Sequence, residues 1–209
     1  AIDKIYDSAN PSTPYFFNTS KTTNISNMFS SITLSTLGIP FDCTNGNNVS
    51  PFGLMDTSSV TKAEGVFSIC KYVDLTGIEN WDMSHVKSIS GMFRYCNHMD
   101  FSPITNWDPH DVEDVSALFY NINEEGGCTI PWGIGNWHLN NLKDARLCFV
   151  FDRPYYNGTD LEINVTNWNF SNAVTEYQEP TLNPWDPPNP IVSFMENYHI
   201  SKIGIGAHF

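Results

Sequence analysis

Hydrophobic residues recur along this chain in a frame longer than any single helix or strand. Residues 78–93 read I-E-N-W-D-M-S-H-V-K-S-I-S-G-M-F, and 26 residues later 104–119 read I-T-N-W-D-P-H-D-V-E-D-V-S-A-L-F. A third copy, I-G-N-W-H-L-N-N-L-K-D-A-R-L-C-F, spans 134–149, and a fourth opens at Val165 with V-T-N-W-N-F-S-N-A-V. With the tryptophan as zero, apolar residues fall at +5, +8, +11 and +12: Val86, Ile89, Met92 and Phe93; Val112, Val115, Leu118 and Phe119; Leu142, Ala145, Cys148 and Phe149. Steps of three and four describe one helical face, so a short helix of three turns is expected after each tryptophan. Two degenerate copies lie upstream, anchored at Phe17 (with Thr22, Ile25, Met28 and Phe29) and at Met55 (with Val60, Ala63, Val66 and Phe67).

At +3 the copies carry Ser20, Ser58, Ser84, His110, Asn140 and Ser171, and Ser or Asn there can accept a hydrogen bond from the first free N–H groups of that helix. Before the tryptophan, 75–78 (L-T-G-I) and 101–104 (F-S-P-I) read as short extended segments. Each unit is then strand, turn and helix, with one apolar face that it cannot bury alone. Stacking joins those faces and pairs the strands in parallel, which predicts an α/β repeat solenoid of six units over about 13–176. The repeat core comprises Phe29, Phe67, Trp81, Phe93, Trp107, Phe119, Trp137, Phe149 and Trp168. Asn80, Asn106, Asn136 and Asn167, each just before a tryptophan, should form a column satisfying backbone groups at the strand-to-helix turn. The anchor spacing varies, so residues 33–50, 121–131 and 152–160 should loop out along one edge, where solenoids often carry recognition.

The motif N-W-D-x-S-x-V-x-x-I-x-x-M-F at a 26-residue period resembles the bacterial surface protein repeat of the BspA-like leucine-rich-repeat group, found in surface lipoproteins of mycoplasmas and listeriae and in protist and viral proteins. Residues 18–29 (N-T-S-K-T-T-N-I-S-N-M-F) are similar to that family's helix nearly letter for letter. The resemblance covers about three quarters of the chain. It implies a leucine-rich-repeat-like stack displayed outside the cell, used for adhesion or surface architecture, with no catalytic residues to carry over.

Composition narrows the partners. An apolar fraction of 41% supplies a continuous core, and ten Lys+Arg against 23 Asp+Glu give a net charge of −13, which opposes nucleic acid and anionic membranes. No run approaches the roughly eighteen apolar residues of a membrane span, and the first thirty residues lack the order of a signal peptide. The chain begins at Ala1, so a removed leader or an excised fragment is expected. Five cysteines (Cys43, Cys70, Cys96, Cys128, Cys148) form no C-x-x-C pair, which argues against zinc. Cys148 reads as a small core residue, whereas Cys70 and Cys96 occupy the same place in adjacent units and could stack and bridge. The six histidines are scattered, with no nucleophile elbow and no H-E-x-x-H helix. The acidic run 108–114 could suit a hard cation, but acids in the first turn of a helix are favoured by its dipole, and that reading is preferred. Sequons stand at Asn18, Asn24, Asn48, Asn157, Asn164 and Asn169; Asn48 and Asn157, in expected insertions, are the best placed for N-glycans.

Flanking the repeats, 1–12 forms an N-terminal extension, 177–190 a proline-rich spacer and 191–209 a C-terminal strand segment. That strand either folds back as a cap over the last unit or completes a neighbour's sheet. The function expected is therefore a non-catalytic extracellular structural or adhesive protein without a cofactor, self-associating or bound to a surface receptor. A filament subunit linked through the C-terminal strand is one form of it. The other reading is a receptor- or glycan-binding module.

Overall fold

The computed structural model of the protein describes residues 6–7, 10–14, 19–32, 51–122, 128–150, 161–177, 192–193 and 200–203. Residues 33–50 and 151–160, Asn18, Asn48, Asn157, Cys43 and most of the proline-rich segment lie outside the described residues. Strand β1 (Tyr6–Asp7) pairs antiparallel with β2 (Asn10–Pro14) in the N-terminal extension. Between the terminal strands, corresponding residues of successive copies sit side by side: Asn24 bridges Lys62, Lys62 bridges Ser88, Ser88 bridges Asp114, Asp114 bridges Asp144 and Asp144 bridges Val174, all in parallel.

The local conformations exchange places relative to expectation. The helix expected over 86–93 and its counterparts is instead a parallel bridge followed by chained turns. Met92, Arg94 and Cys96 donate their N–H three residues back, to Ile89, Gly91 and Phe93. The intervening N–H groups of Ile89, Gly91, Phe93 and Tyr95 reach across to the carbonyls of Asp114, Ser116, Leu118 and Tyr120 in the next unit. Every N–H from Ile89 to Cys96 finds a partner, but half of them leave the segment, so no i→i−4 ladder forms. The chain turns this tightly by entering left-handed backbone at +10, occupied by Asn27, Gly65, Gly91, Ala117 and Leu147 with φ of 57, 61, 58, 53 and 59°. Bonds to the third residue back also explain the apolar rhythm, since +8 and +11 then return to the same side.

Conversely, the segments expected to be extended hold 3-10 turns: Pro51–Leu54, Ile78–Asn80, Ser102–Asn106 and Trp132–Asn136. Each ends at its anchor, as where Trp81 N–H donates to Ile78 O at 3.0 Å. The role expected of +3 is reversed as well. Ser84 does not accept helix N–H groups; its N–H and hydroxyl both donate to Asp82 Oδ1, at 3.0 and 2.6 Å, and Ser58 does the same to Asp56. Asn80, Asn106 and Asn136 are exposed and Asn167 is half-buried. The Asx turns that hold the corners are made by Asp56, Asp82 and Asn169 just after their anchors, by Asp114 and Asp144, and by Asp74, Asp100 and Asn164.

The core is two ladders of rings. Trp81, Trp107, Trp137 and Trp168 stack in sequence with centroids 6.3, 6.0 and 5.8 Å apart, nearly parallel. Phe29, Phe67, Phe93, Phe119 and Phe149 stack beside them at 5.7 to 5.9 Å. All nine rings are buried. Each indole N–H donates to a carbonyl one unit back: Trp81 to Phe52, Trp107 to Ile78, Trp137 to Ile104 and Trp168 to Ile134, at 2.7–3.1 Å. Strand β3 (Leu161–Ile163) precedes the last anchor and pairs in parallel with β6 (Ile200–Ile203), while β4 (Glu176–Tyr177) pairs antiparallel with β5 (Val192–Ser193). The C-terminal segment thus folds back on its own last unit.

Candidate functional site

Cys70 and Cys96 are free thiols rather than a disulfide. Each S–H donates to the carbonyl one unit back, Phe29 O at 3.0 Å and Phe67 O at 3.1 Å, so the sulfurs are directed at backbone and not at each other. Burial pushes the Cys70 thiol up to about 11 and raises Cys96 and Cys148 well above the usual range. Neutral, inert thiols at these positions act as small core residues.

The acidic run 108–114 is not a helix start, so the dipole explanation lapses. Its acids act singly. Asp108 lies 3.3 Å from His110, Asp111 accepts from Lys87 Nζ at 2.9 Å, and Asp114 forms a turn with Ser116. The hydrogen bond from Lys87 holds the Asp111 carboxyl below its ordinary value, as the Ser84 hydroxyl does for Asp82 and the Ser58 hydroxyl for Asp56. Among the described residues no group of three or more His, Cys, Asp or Glu side chains converges as a metal would require.

Of the sequons, Asn24 is exposed and Asn169 partly so. Asn164 is a correction: it is 8% exposed, and the nitrogen that would carry a glycan donates to Trp132 O at 3.0 Å. Its side chain also crosses the Cα of Gly135, where a Cβ would come within 2.1 Å of it, so the folded unit has no room for a sugar there.

The exposed chemistry gathers at an edge that the sequence frame left unread, between the end of one copy and the start of the next. Ile69, Tyr72 and Tyr95 are 49, 41 and 46% exposed, and Trp132 is 42% exposed. The Tyr72 and His98 rings lie 4.3 Å apart with Tyr72 Oη 3.4 Å from His98 Nε2, and Lys71 Nζ sits 5.1 Å from the centre of the Tyr72 ring. Below them opens a cleft of about 380 Å³ whose polar lining is Asp74, Thr76, Asp100 and Ser102. Its signal is present in the sequence: Y-V-D-L-T at 72–76 recurs as H-M-D-F-S at 98–102, with Val73, Leu75, Met99 and Phe101 buried beneath.

A family profile described as Mycoplasma protein of unknown function, DUF285, matches residues 37–151, which contain this edge and the best repeat copies. The chain belongs to that family. No curated protein and no solved structure matches it. Among the described residues no helix is long and apolar enough to cross a membrane.

Proposed function

We propose that this DUF285 chain is a non-catalytic structural or adhesive protein of an extracellular surface, built as a repeat solenoid of the BspA-like leucine-rich-repeat kind. In it, 3-10 turns and chained turns replace the helices. The observation that carries this reading is the pair of ring ladders: the largest side chains and the indole donors of each unit are committed to holding the neighbouring unit. Such a scaffold gains surface with every added unit and leaves its outward residues free to vary. The net charge of −13 and the exposed sequon at Asn24 suit display outside a cell. Self-association through the C-terminal strand would require β6 to leave Leu161–Ile163 for the same edge of a second copy, since within one chain that edge is taken.

The recognition-module reading, binding a receptor or glycan without assembling, is favoured by the aromatic edge and its cleft. Electron microscopy and sedimentation of the purified chain over a wide concentration range separate the two. Ordered assemblies are expected for a structural protein. A strictly monomeric chain at high concentration removes that role and leaves recognition.

A further inference from the structure

We propose that the cleft under Tyr72 and His98 binds a neutral carbohydrate of about disaccharide size. The proposal rests on the recognition reading above and names its ligand class. The first observation is the aromatic wall. Tyr72 and His98 hold left-handed backbone, φ 59 and 53°, a conformation that glycine or asparagine adopts far more easily, as Gly65, Gly91 and Asn27 do at +10. Both side chains are exposed and their rings meet at 4.3 Å; exposed Ile69 and Tyr95 share this backbone, but of these four only Tyr72 and His98 wall the cleft.

The second observation is a set of oriented polar groups. Asp74 Oδ1 accepts the Thr76 N–H at 2.9 Å; Asp100 accepts the Ser102 N–H and hydroxyl, each at 2.8 Å. These bonds fix the direction of both carboxylates without exhausting them, because an ionised carboxylate offers about four acceptor sites. The third is duplication. Ring, carboxylate and hydroxyl recur in equivalent places of adjacent units, so a ligand lying across both units meets the same set twice.

Charge and shape then select the ligand. Anions are opposed by Asp74, Asp100 and the net charge of −13. A cation would be drawn to the two carboxylates, but the Tyr72 face is already met by the Lys71 ammonium, 5.1 Å from its centroid, which opposes a second positive charge there. A neutral pyranose presents C–H groups to a ring and hydroxyl donors to carboxylates. The cleft, about 380 Å³ and more open than enclosed, would hold a sugar against its aromatic wall rather than engulf it.

The test is amide-resolved NMR of the full chain titrated with maltose, lactose and N,N′-diacetylchitobiose, with a tetra-arginine peptide as the cationic control. At least one disaccharide should give saturable shifts confined to residues 72–76 and 98–103. Tyr72→Ala and Asp74→Asn should each weaken binding about tenfold. Tyr72→Asn, which suits the left-handed backbone, separates loss of the ring from loss of the fold, and Tyr95→Ala, outside the cleft, should leave binding unchanged. No shift with any of the three sugars, shifts elsewhere, binding indifferent to Tyr72→Asn, or binding of tetra-arginine alone would each overturn the proposal. Assembly seen by microscopy without sugar binding would sink this inference and leave the structural role standing.

Discussion

Trp107 has Trp81 on one side and Trp137 on the other, at 6.3 and 6.0 Å, and its Nε1 donates to Ile78 O at 2.7 Å. Packing and hydrogen bonding can therefore be separated at one residue. Trp107→Phe keeps an aromatic ring in the ladder and removes one of the two hydrogen bonds to Ile78 O, which still accepts the Trp81 N–H, so it should cost about 0.5–1.5 kcal/mol beyond the lost ring area. Phe119→Ala removes a rung between Phe93 and Phe149 and should cost about 3–5 kcal/mol. Urea unfolding measures both, and an unchanged midpoint for either would mean the ladders do not hold the stack. Ile69 makes the opposite case, being β-branched at φ 61° and 49% exposed. Left-handed backbone costs a residue with a Cβ about 1–2 kcal/mol, and little burial is lost on removing this side chain. Ile69→Gly is thus expected to raise stability by up to about 1 kcal/mol; a lower unfolding midpoint would show that Ile69 packs more than its exposure implies.

At the level of the elements, the repeat frame and both ladders were readable from the chain, because Trp and Phe recur at fixed offsets whatever the backbone between them does. The backbone itself was not. Apolar residues at +8 and +11 fit a helix and fit a run of turns bonded to the third residue back equally well; the choice is made by N–H groups that leave for the next unit, which one unit's sequence does not display. Left-handed conformations at Ala117, Leu147 and Tyr95 carry no glycine to announce them. The candidate site lay in the gap between recognised copies, so Tyr72 and His98 went unread although their D-x-T and D-x-S neighbours repeat. The Asp corners, unlike the Ser caps expected in their place, make a prediction in pH. The Asp82 carboxyl is held below its ordinary value chiefly by the Ser84 hydroxyl. Its folded value lies below an unfolded value of about 3.9, so its contribution is present above that pH and fades as pH falls through the folded value. NMR titration should show the Asp82 midpoint rising in Ser84→Ala, and the acid-induced loss of stability shrinking in Asp82→Asn. A midpoint indifferent to Ser84 would remove the hydroxyl as the cause.

For the whole molecule, the C-terminal strands decide where the stack ends. With β6 on Leu161–Ile163 and β5 on Glu176–Tyr177, truncation after Tyr177 exposes both partners. Amide exchange should then quicken across 161–177 while 81–119 stays protected; equal exchange in both chains would mean that β5 and β6 contribute nothing to the last unit. The cross-unit bonds carry a further, mechanical consequence. The N–H groups of Ile89, Gly91, Phe93 and Tyr95 all reach one way, to the following unit. Under tension along the stacking direction they are loaded as a zipper rather than in shear, so units should peel off singly at low force. Each rupture of a unit such as that from Trp81 to Trp107, 26 residues, would release about 90 Å of slack. The molecule would then act as an extensible tether that yields stepwise and rewinds by restacking onto the remaining units.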